Sequence, residues 1–147
     1  MVNLEEMEQH LRRSFLFAGL DREHLHDLAR RMIVVQYAPE DEIITEGDAG
    51  PFGGMGVVLS GTLRVFHERD TVVGHIGPGE IFGEMSLIDN RPRSATVVAE
   101  TEVEAAILSP DDFREELGEN PDITIRLLRM LCDRLREAEA LPLTPAG

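Results

Sequence analysis

Gly83-Glu84-Met85-Ser86-Leu87-Ile88-Asp89-Asn90-Arg91-Pro92-Arg93-Ser94-Ala95-Thr96-Val97 places a glycine, two carboxylates, two arginines and three hydroxyls within fifteen residues, and the rest of the chain can be keyed to it. Met85 to Ile88 reads as about one turn of helix. Asp89 to Pro92 has loop chemistry, because Pro92 biases Arg91 away from helix and has no backbone donor. Ala95 to Val98 resumes as a strand. Amides at the start of the short helix, a guanidinium and a hydroxyl together suit a phosphate. The Glu84 carboxylate only accepts hydrogen bonds, so it suits a sugar hydroxyl and repels a second anion. The combination describes a site for a phosphorylated sugar of low charge.

Three flanking turns extend the pattern in order: Glu46-Gly47-Asp48, Val57-Val58-Leu59-Ser60-Gly61 and Gly77-Pro78-Gly79-Glu80-Ile81-Phe82. Gly83-Glu84, eight intervening residues and Arg93-Ser94-Ala95 resemble the phosphate-binding cassette of cyclic nucleotide-binding domains. That family includes the bacterial catabolite activator protein, the kinase regulatory subunits and the cyclic-nucleotide-gated channels. The resemblance runs from about Leu11 to Glu137. It implies a mainly β fold with flanking α-helices: an antiparallel β-roll (double-stranded β-helix, jelly-roll-like), an N-terminal helix pair and C-terminal lid helices. It further implies a ligand site at Gly83, Glu84, Met85, Ser86, Arg93, Ser94 and Ala95. There the phosphate docks on Arg93 and on the amides of Gly83 to Met85 and Ala95, and Glu84 takes the ribose 2′-hydroxyl. The family spacing selects Arg93 and leaves Arg91 as a solvated loop charge. Serine at position 94 leans toward cAMP without excluding cGMP. Counting forward from Arg93, the helix positions where the bacterial activators place hydroxyls on the adenine are Ala138 and Glu139, which cannot copy that contact.

Composition fits one domain of 147 residues, long enough to bury roughly 70% of its unfolded surface. The formal charge is −14 with a pI near 4.6, and all 14 basic residues are arginine. Such a chain is a poor binder of DNA or of anionic membranes. At physiological salt, screening over about 8 Å makes the local arginine matter more than the total field. The single cysteine excludes an internal disulfide and fits a reducing cytoplasm; Cys132 reads as an inert core or interface thiol. No apolar run reaches the roughly 18 residues of a membrane span, and the acidic N-terminus does not resemble a signal peptide.

Taken in order, residues 1–32 hold two helices. The first spans 3–13, with Asn3 as cap, Glu6 reaching back and Leu4, Met7 and Leu11 on one face. Asp21 caps the second, with Leu25, Leu28 and Met32 inward. Residues 33–109 form the roll, with strands at Ile33–Tyr37, Val57–Leu59, Leu63–His67, Val72–Ile76 and Val103–Leu108, and the cassette at 83–97. Gly47 and Gly61 are placed at positive φ. The segment Asp48 to Gly56 is about two residues longer than the family's usual loop and is expected to be flexible at the pocket mouth. It also puts Gly56 where an aromatic often sits. Residues 110–141 are helical: Ser109-Pro110-Asp111-Asp112 starts one helix, Gly118 ends it, and Asn120-Pro121-Asp122 starts another. Ile123, Leu127, Leu128, Leu131 and Leu135 form its apolar stripe, Pro142 stops it, and 142–147 is a tail. That stripe is too small to serve both the roll and a long coiled coil, so the chain is read as a monomer or weak homodimer through this helix.

No constellation supports catalysis. His24 and His26 fall on a helix, where i,i+2 residues do not share a face. His67 and His75 on neighbouring strands lack the acid–histidine cluster that would complete a metal site. The chain is therefore expected to be a cytoplasmic non-enzyme that binds a cyclic nucleotide, with no metal, nucleic acid or membrane partner. Two alternatives stay open. One is the sensor half of an activator-type transcription regulator without its DNA-binding domain. The other is a protein-interaction module with a degenerate pocket, for which Gly56, the longer loop and the missing hydroxyls argue.

Overall fold

The computed structural model describes residues 2–49, 53–68 and 70–140. Helices α1 (Leu4–Arg13) and α2 (Arg22–Arg31) precede β1 (Ile33–Tyr37), β2 (Glu42–Ile44), β3 (Met55–Ser60), β4 (Leu63–His67), β5 (Thr71–Ile76) and β6 (Ile81–Phe82). Then follow α3 (Glu84–Asp89), β7 (Thr96–Ala99), β8 (Val103–Leu108), α4 (Pro110–Glu119) and α5 (Pro121–Ala140). Two four-stranded sheets, ordered β1-β8-β3-β6 and β2-β7-β4-β5, are antiparallel throughout and build the roll.

Local chemistry accounts for the helix starts. The Asn3 and Asp21 side chains accept from the Glu6 and His24 amides, each at 2.8 Å, and Ser109 accepts from the Asp112 amide at 3.2 Å. Glu6 reaches back to the Asn3 side-chain amide at 3.3 Å rather than to the Asn3 backbone. Alternation then sorts the sheet residues into two cores. Val57, Leu59, Ala106 and Leu108 join Leu11, Phe17, Leu28, Phe113 and Ile123 on the helical side. Val58, Val103 and Ala105 meet Leu63, Phe82, Val97 and Ala99 between the sheets. Strands β3 and β8 are thus buried on both faces.

Several expectations need correction. Gly118 does not end α4: the helix runs to Glu119, and Asn120 caps it ahead of Pro121. The residue before a proline is pushed out of helical geometry, so Pro121 supplies the stop. The α5 stripe also divides. Ile123 and Leu127 are buried and Leu131 is partly buried, but Leu128 and Leu135 are 56% and 61% exposed. With about 100° per residue, Leu128 and Leu135 fall instead on a second face with Ile125 and Cys132, both exposed. Cys132 is therefore not a core thiol, and the argument that the roll uses up the stripe fails. Strands β2 and β6, absent from the sequence reading, complete the two sheets. Gly47 and Gly61 do lie at positive φ, 89° and 87°. Pro142, the tail and residues 50–52 of the longer loop lie outside the described residues.

Gly56 has a structural explanation. It pairs directly with Phe82 across β3 and β6, and the Phe82 ring lies over it, so that a Cβ on Gly56 would sit 2.2 Å from the ring. The aromatic bulk expected at position 56 is supplied from the neighbouring strand.

Candidate functional site

Gly83 begins the site by turning the chain from β6 into α3. It adopts φ 79°, ψ 6°, the left-handed region, and caps α3 without a side-chain bond. The first amides of α3 therefore have no intrahelical partner. A Cβ on Gly83 would lie 2.9 Å from Arg93 Nη1 and 3.2 Å from the Gly54 carbonyl, so glycine is required by space as well as by φ.

Arg93 is fixed at both ends. Its backbone amide donates to Asp48 O and its carbonyl accepts from the Gly47 amide, each at 2.9 Å. Its side chain, only 6% exposed, donates from Nη1 to Gly83 O at 2.6 Å and from Nη2 to Gly54 O at 3.0 Å. Burial lowers its pKa from the ordinary arginine value, and the charge of Glu84 works against that shift. The guanidinium bridges the β3 approach and the start of α3, which brings three distant segments together.

Glu84 is 3% exposed, and its Oε1 accepts from Arg134 Nη1 of α5. A buried carboxylate needs such a partner. This bond attaches the last third of α5 to the cassette.

Gly83, Glu84, Met85, Ser86, Arg93, Ser94 and Ala95 all line one cavity of about 470 Å3. Ile44, Val65, Val73, Ile76, Phe82 and Val97 give it an apolar wall, and Arg134 and Glu137 reach it from α5. Ser86 is buried, whereas Met85 and Ser94 are exposed at the rim. Arg91 is exposed, and only its backbone is engaged, the amide donating to Asp89 Oδ1 at 3.0 Å. Ala138 and Glu139 are exposed and do not line the cavity. The lining combines a cation and the amides that open α3 with a carboxylate and an apolar wall. That arrangement suits an anion joined to a sugar and a flat ring.

Sequence reading missed Arg134, Glu137 and His75 on this cavity. Arg134 had a usable signal: it stands three residues beyond Leu131, on the face that carries Ile123 and Leu127, where an arginine needs a buried acid. Four of the five histidines have acidic partners. His24 and His26 meet Glu116 and Glu8 at 2.8 and 2.5 Å, while His67 and His75 lie beside Glu46 and Glu100. Among the described residues, no group of three or more His, Cys, Asp or Glu could hold a metal ion, and no helix is long and apolar enough to cross a membrane.

Comparison with known proteins places the chain in a family. Residues 34–120 match the family described as "Cyclic nucleotide-binding domain". The chain is 35% identical over 129 residues to the "Cyclic AMP receptor protein" of Thermus thermophilus, which covers 84% of this chain and 58% of that protein. It is 28% identical over 134 residues to the "CRP-like cAMP-activated global transcriptional regulator" of Mycobacterium tuberculosis, covering 88% and 59%. The chain thus spans a little under three fifths of the length of these curated relatives. A solved cyclic nucleotide-binding domain from Methylobacillus flagellatus aligns with TM-score 0.80 and 30% identity, over 98% of this chain and 85% of that one. A match that runs from β1 through α4, with a solved relative that follows the fold almost end to end, makes this chain a member of the cyclic nucleotide-binding domain family.

Proposed function

We propose that the chain is a ligand-sensing domain for a cyclic nucleotide, cAMP more than cGMP, and has no catalytic role. The observation that carries this reading is the single cavity wall formed by Gly83 to Ser86 and Arg93 to Ala95, with a buried guanidinium at its phosphate end. The phosphate docks on Arg93 and the amides at the start of α3 and at Ala95. Glu84 takes the ribose 2′-hydroxyl, and the apolar wall takes the base. Relatives named as cAMP-activated or as a cyclic AMP receptor support the choice of adenine. The Arg134–Glu84 bond supports a signalling route through α5, since the carboxylate that meets the sugar also holds the lid.

Thermal shift with a panel of cyclic nucleotides tests the reading. A ligand at about a hundred times its Kd adds roughly 2.7 kcal/mol, or about 5–10 °C for a domain of this size. No shift with any cyclic nucleotide at millimolar concentration would leave the degenerate interaction module as the better account. Removing residues 136–147 should weaken binding yet leave the roll folded, because Ile123 and Leu127 anchor the start of α5 while Glu137 and the turn after Arg134 are lost. A truncated chain that unfolds, or that binds as well as the full one, contradicts this.

A second reading, the sensor part of a transcription regulator, is favoured by the relative named as a global transcriptional regulator, of which the match covers 59%. Under either reading this stretch should not itself contact DNA. With a charge of −14, it should leave duplex mobility in a gel unchanged at physiological salt, with or without cAMP. Salt-sensitive retardation at micromolar protein would refute that.

A further inference from the structure

The two sheets of the roll meet along two seams. Strands β5 and β6 are the edges at one seam, where the cavity already described opens beside α3 and α5. Strands β1 and β2 are the opposite edges, and a second cavity of about 610 Å3 opens between them. Its wall is aliphatic, built from Ile33, Val35, Ile43 and Ile107, and Ile33 is 68% exposed. Ile44, Phe82 and Arg93 line both cavities and form the partition between them.

We propose that the β1–β2 seam is a second small-molecule site, for a neutral apolar compound with one hydroxyl, carbonyl or N–H group, and that its occupant is felt at the nucleotide cavity through Phe82 and Arg93. The volume lies in the range of roughly 300–1,000 Å3 typical of ligand sites. Packed sheets stand about 10 Å apart, one layer of side chains, whereas a helix with its side chains is about 10–12 Å across. The seam therefore admits a flat ring or a chain and excludes a helix. Asp48 on its wall and Glu42 beside it, in a chain of charge −14, oppose an anion. A cation would lose its hydration against an aliphatic wall that already carries the Arg93 guanidinium. Polar recognition falls to two hydroxyls: Thr45, which donates to Glu42 at 3.2 Å and keeps its lone pairs to accept, and Tyr37, whose phenol burial holds in the neutral form.

The coupling follows from Arg93. Its Nη2 is bonded to Gly54 O, on the seam side, and its Nη1 to Gly83 O, on the cassette side. An occupant that displaces Gly54 or Phe82 shifts the guanidinium, and linkage requires the effect to be reciprocal. This half rests on the cyclic nucleotide reading; the binding half does not.

Fluorescence titration of the full chain with N-phenyl-1-naphthylamine, a neutral dye that brightens out of water, tests both halves. Saturable enhancement is expected, weakened about tenfold or more by Ile33→Arg and by Ile33→Glu. It should be kept by Ile33→Val and by a Leu128→Ser/Leu135→Ser variant that removes the exposed face of α5. The Ile33 side chain is already largely in solvent, so these variants should fold, as circular dichroism would verify. Saturating cAMP should change the dye affinity without abolishing binding. Dye binding indifferent to both Ile33 charges, lost with the α5 variant, or displaced competitively by cAMP would overturn the site. Ile33-dependent binding that cAMP leaves unchanged, in a chain that does bind cAMP, would overturn the coupling. Ile33-dependent binding in a chain that binds no cyclic nucleotide would sink the proposed function and leave the seam site standing.

Discussion

Arg93→Ala should weaken cAMP binding by about 2–4 kcal/mol, roughly thirty- to nine-hundred-fold in Kd by calorimetry. A desolvated phosphate loses its charge-assisted partner, and the remaining amides cannot replace a cation. The same change leaves the Gly83 and Gly54 carbonyls without the donors that now bridge them, so the melting temperature should fall as well. Arg91→Ala is the control, because its side chain is exposed and its backbone bond to Asp89 survives. It should cost under about 1 kcal/mol. Equal losses at the two positions would mean that the cavity attracts the ligand by diffuse field rather than by a placed guanidinium.

Phe82 and Gly56 should behave as one unit in denaturant unfolding. Phe82→Ala should cost about 3–5 kcal/mol, since the ring is 4% exposed and fills the space between the sheets. Gly56→Ala should cost about 1–3 kcal/mol, because its methyl group meets ring atoms at 2.2, 2.5 and 2.8 Å and the ring must leave its rotamer. In the double variant the methyl occupies part of the vacated volume, so the combined loss should be smaller than the sum by about 1 kcal/mol. Strict additivity would show that the ring does not rest on the glycine.

The cassette was legible in the sequence because its constraints are local. Gly83, Glu84 and Arg93 stand within eleven residues, and each is a residue type whose backbone or charge narrows its uses. The caps Asn3, Asp21 and Ser109 were legible for the same reason. Strand β2, three residues at Glu42–Ile44, and strand β6, two residues at Ile81–Phe82, are too short to show a period; only their pairing with β7 and β3 defines them. The exposed face of α5 was hidden because leucines at 128 and 135 sit one residue from the register of the buried face. Arg134 showed its place on the buried face, but its partner, 50 residues away, could not be read from the sequence. The exchange of bulk between Gly56 and Phe82 exists only once two strands are side by side.

The place of β8 in its sheet constrains how the chain can be made. It is the last of the eight described strands in chain order, yet it lies between β1 and β3 and supplies the hydrogen-bonding partner of both. Until Leu108 has left the ribosome, β3 has β6 on one edge and nothing on the other, with a two-faced apolar strand open to solvent. Closure of this sheet during translation is therefore held back until Val103 to Leu108 have emerged. A product cut short before residue 103 is not a smaller roll; it is a chain with an unsatisfied central gap, and its fate is aggregation or proteolysis.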